Sequence, residues 1–134
     1  RSEFMATIFT QIINGEIPAE KLVEDERFLA FLDVRPIRPG HTLVVPKQEV
    51  DYLFDLDEPT LGGLLPFARQ LARPIERATG CTRVGVMVAG LEVPHCHVHL
   101  VPMDSVFDLD FGKAKEASRE DLAAMGDKIR AELG

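Results

Sequence analysis

His95, His97 and His99 alternate along Pro94-His95-Cys96-His97-Val98-His99-Leu100-Val101-Pro102 and make up three of the four histidines in the chain. Alternation is the strand period, so a strand here points all three imidazoles to one face. Histidine is the side chain whose ordinary pKa lies nearest neutrality, and its neutral ring serves both as metal ligand and as nucleophile. Strand neighbours at i and i+2 lie about 6.6 Å apart, and i and i+4 about 13 Å apart. A metal bound at about 2.0–2.1 Å can gather two such rings but hardly three, so a third ligand would come from His41, the remaining histidine. The other chemistry is nucleophilic. The middle imidazole attacks phosphorus and forms a covalent phospho-histidine that water cleaves. Its neighbours donate to the phosphate oxygens, and a backbone carbonyl fixes its tautomer. A sheet face that merely happens to carry histidine is the bland reading, and strict alternation running into Leu100-Val101-Pro102 speaks against it.

Such a row needs a sheet beneath it. Lys21 to Glu24 and Phe28 to Leu32 read as short strands joined by the polar turn Asp25-Glu26-Arg27. His41 to Val45 is a third strand closed by Pro46, Thr82 to Val88 a fourth with Val84, Val86 and Val88 on one face, and His95 to Val101 the last. Ahead of them, Ile8, Phe9, Ile12 and Ile13 have helical spacing over Thr7 to Ile13, ended by Asn14-Gly15. An apolar stripe from Leu61 to Ala78 predicts the main helix, with Asp57 as its cap and Pro59 in the first turn. Pro66 and Pro74 predict a kink there, or two shorter helices. Ser118 opens a last helix to about Leu133, with Asp121 as its capping partner. Between them, Phe107-Asp108-Leu109-Asp110-Phe111 reads as an edge strand or a strap across a partner subunit, or else as a solvated connector. The expected fold class is α+β, an antiparallel sheet of about five strands with one main helix and a C-terminal helix.

A chain of 134 residues suits one domain with a real core. Arg1-Ser2-Glu3-Phe4 ahead of Met5 reads as a cloning scar, residues 5–103 as the domain and 104–134 as a C-terminal extension. The net charge of −7 argues against a nucleic-acid-coating surface. No apolar run approaches the roughly 18–20 residues of a membrane span. Two cysteines, Cys81 and Cys96, do not make a disulfide framework, so a reducing cytoplasm is the expected compartment. On a strand Cys96 faces away from the histidines, as a core thiol.

The row His95-Cys96-His97-Val98-His99-Leu100-Val101 resembles the motif of the histidine triad (HIT) family, in which three histidines alternate with apolar residues. Two further blocks agree: Phe31-Leu32-Asp33-Val34 followed by Pro39-Gly40-His41-Thr42-Leu43-Val44-Val45-Pro46-Lys47, and Ile8-Phe9 through Ile12-Ile13 to Gly15-Glu16-Ile17-Pro18-Ala19. The resemblance runs from about Thr7 to Pro102 and lies closest to the bacterial Hint-like hydrolases. It implies a nucleotide hydrolase or phosphoramidase acting at the α-phosphate of purine nucleotide conjugates. In that reading His97 is the nucleophile, His99 and His41 lie against the phosphate, and His95 supports His97. Asp33 takes the ribose hydroxyls, and Phe9, Ile12, Phe31 and Val34 form the base pocket. The third histidine favours hydrolase over the transferase branch, which carries Gln there. A homodimer working without metal or other cofactor, nucleic acid or membrane is also implied. Diadenosine polyphosphate hydrolysis, or nucleotide binding with little turnover, are the alternatives.

Some positions depart from the family pattern. Thr7 and Thr10 stand where many bacterial members carry Cys-x-x-Cys as half of a zinc site, so no structural zinc is expected. Glu49 replaces the histidine that ends the Hint branch's Pro-Lys-Lys-His block. Glu92 replaces a serine near the leaving group, and Ala89-Gly90-Leu91 is shorter than that branch's glycine-rich loop.

Overall fold

The short alternating segments of the N-terminal half become strands because each can bury one face against a helix. The computed structural model describes residues 6–134, and Arg1–Phe4, read above as a cloning scar, lies outside the described residues. Strands β1 (Lys21–Glu24), β2 (Phe28–Leu32), β3 (Thr42–Pro46), β4 (Arg83–Met87) and β5 (Val98–Met103) form one sheet in the order β1-β2-β3-β5-β4. Every neighbouring pair is antiparallel. Helix α1 spans Ile8–Ile13, α2 Glu58–Thr79 and α3 Arg119–Glu132.

The two sheet faces divide the apolar residues. Ala30, Leu32, Val44, Val98 and Leu100 meet Leu64, Phe67, Leu71 and Ile75 of α2 in the main core. Leu29, Phe31, Leu43 and Val45, the alternate positions, meet Phe9 and Ile12 of α1 in a smaller one. With both faces covered, β2 and β3 are buried along their whole length. The histidine site lies on the α1 side.

Three expectations change. First, the last strand starts at Val98, so only His99 of the row is in the ladder. The pairing of β3 with β5 ends at Val44↔Val98, and the next residues of β3 reach Pro46, which has no N–H to donate. The Cys96 N–H turns instead to the Val50 carbonyl at 2.7 Å. Second, α2 is one run of 22 residues through Pro66 and Pro74 rather than two shorter helices. Each proline removes one intrahelical bond, but the buried stripe across both of them holds the helix to the sheet. Asp57 caps it by accepting from the Thr60 N–H at 2.8 Å. Third, Phe107 to Phe111 is not an edge strand. It forms two 3-10 turns, Val106–Asp108 and Phe111–Lys113, folded onto its own chain. The aspartates that alternate with its apolar residues break the ladder by capping turns: Asp108 accepts from the backbone N–H groups of Asp104 and Ser105, and Asp110 from that of Gly112.

The C-terminal helix closes the fold. Ser118 caps α3 by accepting from the Asp121 N–H, Ile129 is fully buried, and Arg130 ties it to Glu20 at 2.6 Å and to the Lys21 carbonyl at 2.7 Å. The loop between β2 and β3 turns at Gly40, where φ is +102° and a Cβ would sit 2.6 Å from Thr79 Cγ2. That turn delivers His41 under the site. No described helix is long and apolar enough to cross a membrane.

Candidate active site

Each histidine is held by a different backbone device, and the devices fix the tautomers. A carbonyl only accepts, so His97 donates through Nδ1 to the His95 carbonyl at 2.8 Å. Its Nε2 therefore carries the lone pair, and the ring lines two cavities. His95 donates through Nε2 to the Pro46 carbonyl at 2.8 Å, and its Nδ1 accepts from the Thr7 hydroxyl at 2.8 Å. Both of its nitrogens are engaged, and its carbonyl accepts from His97 Nδ1.

His41 and His99 form a relay of donors. The Ile37 N–H donates to His41 Nδ1 at 3.0 Å. His41 Nε2 then carries a hydrogen and donates to His99 Nδ1 at 2.9 Å. This leaves a hydrogen on His99 Nε2, the nitrogen on the far side of a ring that lines both cavities. Burial pushes His41 down to about 3 and His99 down to about 4, each helped by the next imidazole, His99 for His41 and His97 for His99. Both are neutral near pH 7, as the relay requires. His41 thus sits behind His99, 1% exposed, and does not line the cavities beside His97. Its Nε2 is committed to the ring of His99, the residue expected to lie against the phosphate with it.

Asp33 follows the last residue of β2. Its Oδ1 accepts from the Arg35 N–H at 2.9 Å and its Oδ2 lies 3.6 Å from His41 Nε2. Burial raises its pKa, outweighing the Arg35 N–H. Two cavities meet at Asp33, His97 and His99. One, about 230 Å³, is walled by Phe9, Ile12, Phe31, Val34 and Leu43 with Glu92 at its edge. The other, about 370 Å³, is walled by Arg35, Leu91, Glu92 and Phe111. All of the expected site residues except His41 and His95 therefore line one cavity or the other. Phe9 also packs its edge on His97, with centroids 5.0 Å apart, and on Phe31 at 5.6 Å, so it serves core and pocket together.

Four groups here escape a reading of the triad alone: the Pro46 carbonyl, the Ile37 N–H, the Thr7–Glu49 pair and Phe111. The signal for the third was present, since Thr7, Thr10 and Glu49 depart from the family pattern together. They converge in space. Glu49 Oε1 accepts from the Thr7 N–H at 2.9 Å and the Thr10 hydroxyl at 2.7 Å, while Thr7 reaches His95. Zinc takes thiolate, imidazole or carboxylate ligands. Two of these four side chains offer neutral hydroxyls, and the His95 nitrogen and the Glu49 oxygen are bonded to them, so this donor set does not fit zinc. It does the same positional work with hydrogen bonds. Thr7→Val removes the shorter of the two hydroxyl contacts to His95 Nδ1, the other being Thr10 at 3.4 Å, and is expected to cost about 1–3 kcal/mol, seen as a lower melting temperature that Thr7→Ser restores. An unchanged melting temperature in Thr7→Val would remove the network from the account.

The metal reading of the histidine row also meets the geometry. His95 and His41 have both ring nitrogens engaged. Among the described residues, the ligand atoms that gather within 4.8 Å are those of Asp33, His41 and His99, and two of these are bonded to each other.

Fold and site together define an α+β protein with an imidazole held by its own backbone at the meeting point of two cavities. The family model of the HIT domain matches residues 14–106, and the chain belongs to the HIT family. It is 34% identical over 131 residues to the adenosine 5'-monophosphoramidase HNT1 of Saccharomyces cerevisiae, covering 96% of this chain and 83% of that protein. The corresponding Schizosaccharomyces pombe phosphoramidase hnt1 is 31% identical over 136 residues, covering 96% of this chain and 99% of that one. Among solved structures, a HIT-like protein of Bartonella henselae superposes with a TM-score of 0.85 at 29% identity, over 98% of both chains. A zinc-bound histidine triad protein of Mycobacterium smegmatis superposes with a TM-score of 0.82 at 30% identity, over 96% of this chain and 94% of that one.

Proposed function

We propose that this protein is a nucleotide hydrolase that releases a purine nucleoside monophosphate from an amine or other leaving group through a nucleotidyl-histidine intermediate. The observation that carries this is the His97 tautomer: Nδ1 donates to the His95 carbonyl, and Nε2 makes no hydrogen bond among the described residues. The apolar cavity of Phe9, Ile12, Phe31 and Val34 takes the base, and Asp33 accepts from the ribose hydroxyls. The His97 Nε2 lone pair attacks phosphorus, and the bond to the leaving group breaks with its electron pair going to the departing atom, which takes a proton from solvent. His99 Nε2–H donates to a phosphate oxygen as charge gathers there. Water then attacks the same phosphorus, returns the lone pair to His97, gives up its proton and frees the nucleotide.

The two yeast phosphoramidases support the nucleotide and the P–N bond as substrate chemistry. A homodimer, joined along the outer edge of β4 where Val86 is 51% exposed, and a cytoplasmic setting belong to the same reading. The test is AMP release from adenosine 5'-phosphoramidate, adenylyl-lysine and diadenosine tetraphosphate, with and without EDTA. Turnover of the first two, unaffected by EDTA, is expected. Release from none of the three would overturn the proposal. A second reading, binding with little turnover, is favoured by Glu92 on the rim of both cavities. Calorimetric AMP binding without turnover on that panel would select it.

A further inference from the structure

A third cavity, of about 270 Å³, opens between α3 and the loop that joins β2 to β3. Pro36, Pro39 and Gly40 form one wall. Asp121, Ala124, Met125 and Lys128 form the other, at the i, i+3, i+4 and i+7 spacing of one helix face. Neither His97 nor His99 lines it, so the phosphate chemistry leaves it unused. Asp33 is nevertheless common to this cavity and to both cavities beside His97.

The gap is held open by its surroundings. The Ala117 N–H donates to the Val34 carbonyl at 3.0 Å and the Lys115 N–H to the Pro36 carbonyl at 3.2 Å, which fixes the start of α3 to the loop. Buried Ile129 and the Arg130–Glu20 pair fix its far end. Between these fastenings Gly40, Ala117 and Ala124 bring a methyl group or less to the gap. Leucine at 117 or 124 would close much of it, and packed layers keep few voids larger than a water molecule.

The rim carries opposite charges at its two ends. Asp121 and Lys128 are both exposed, and the ion pairs of α3 belong to Arg130 rather than to either of them. Seven positions on a helix put them about 10.5 Å apart along its axis. Between them Leu122, Met125 and Pro39 make the lining apolar. His41 spends both ring nitrogens on Ile37 and His99, so it adds surface without a free donor or acceptor. An extended dipeptide spans about 7 Å between its termini, and a charge-assisted hydrogen bond of about 2.8 Å at each end extends its reach to about 12 Å. A free amino acid falls short of that span.

We propose that this cavity is a second ligand site, for a short apolar zwitterion of dipeptide length, with its ammonium on Asp121 and its carboxylate on Lys128, and that its occupancy is coupled to the nucleotide site through Asp33. The site itself is independent of the nucleotide reading above; the coupling rests on that reading. A ligand that bridges α3 and the loop holds Asp33 in place, so each ligand tightens the other by the same factor.

The experiment is calorimetry of the whole chain with leucyl-leucine, with leucine and with N-acetyl-leucyl-leucine amide, each with and without saturating AMP. Wild type is expected to bind leucyl-leucine more tightly than either control. Asp121→Asn and Lys128→Gln are each expected to weaken it about twofold to fivefold, the scale of one exposed ion pair, with the melting temperature and AMP affinity of the unliganded protein unchanged. Ala124→Phe is expected to abolish it, since the ring takes the volume that the ligand needs. Saturating leucyl-leucine is expected to tighten AMP about fivefold, and AMP to tighten leucyl-leucine equally. No binding of leucyl-leucine, binding no tighter than that of the capped form, or binding that Asp121→Asn and Lys128→Gln both leave intact overturns the site. Binding with an AMP affinity that does not move overturns the coupling. Binding of leucyl-leucine by a protein that binds no AMP overturns the nucleotide reading and leaves the site standing.

Discussion

Replacing His97 with alanine is expected to lower AMP release by about 10⁴-fold or more, the loss typical of removing a covalent nucleophile while binding groups remain. The size follows from how the ring is held. His97 is the one histidine here whose reacting nitrogen is unbonded while its other nitrogen is fixed by a main-chain carbonyl, so the lone pair is aimed without a further partner. Nothing nearby can replace it. His95 spends both nitrogens on Pro46 and Thr7, and His41 spends both on Ile37 and His99. His99 presents a hydrogen rather than a lone pair, so His99→Ala removes a hydrogen-bond donor to the phosphate and is expected to cost less, about 10²–10³-fold. AMP affinity should survive in His97→Ala, because Asp33 and the Phe9, Ile12 and Phe31 wall are untouched. Calorimetry and single-turnover kinetics check both halves. Rapid quench of wild type into alkaline denaturant, with a substrate whose nucleotidyl transfer outpaces the hydrolysis step, should leave up to one nucleotidyl group per chain on His97, since the phosphorus–nitrogen bond survives alkali and not acid. Full activity in His97→Ala, or a label carried by another residue, would end the proposed mechanism.

How much of this was legible in the amino-acid order depends on whether the deciding interaction is local. β1 and β2 have the expected limits because their alternation and the turn between them are local, and Asp57 and Ser118 cap their helices as such residues do. The row of histidines marked the site for the same reason. What sequence spacing misjudged was decided at a distance. The start of β5 depends on a proline about fifty positions earlier in β3 having no N–H to offer. The prolines of α2 are tolerated because a stripe on a second layer buries the helix around them. The segment around Phe111 alternates like a strand, yet its aspartates cap turns and its ring finds His99 in the same chain. His41 shows the limit within the site itself. It packs behind His99, and its hydrogen bond to that ring appears only when the hydrogen on each nitrogen is counted.

That count has a consequence for acid stability. An unfolded histidine titrates near 6.5, whereas burial holds His41 down to about 3 and His99 down to about 4. The folded state therefore binds fewer protons than the unfolded chain below pH 6.5, and folding stability must fall as pH falls. The sign is that of a depressed base: the contribution is constant above 6.5 and erodes on the way down to the folded values. Each buried ring contributes a slope of about 1.4 kcal/mol per pH unit, or on the order of 3 kcal/mol lost by pH 4. The two losses do not add in full, because one hydrogen bond serves both rings and each raises the cost of charging the other. Asp33 works in the opposite direction, since its raised pKa lets the folded state take a proton early and softens the loss. The structural event is specific. A proton on His99 Nδ1 would face the hydrogen on His41 Nε2, and the relay from the Ile37 N–H would break at that point. Urea unfolding is therefore expected to show stability flat from pH 8 to 6.5 and then falling steadily to pH 4.5, and the fall should be shallower in His99→Gln, which cannot titrate. Imidazole NMR signals of His41 and His99 should stay in their neutral form down to about pH 5. If either ring instead titrates above about pH 6, it is not the buried neutral link that the relay requires.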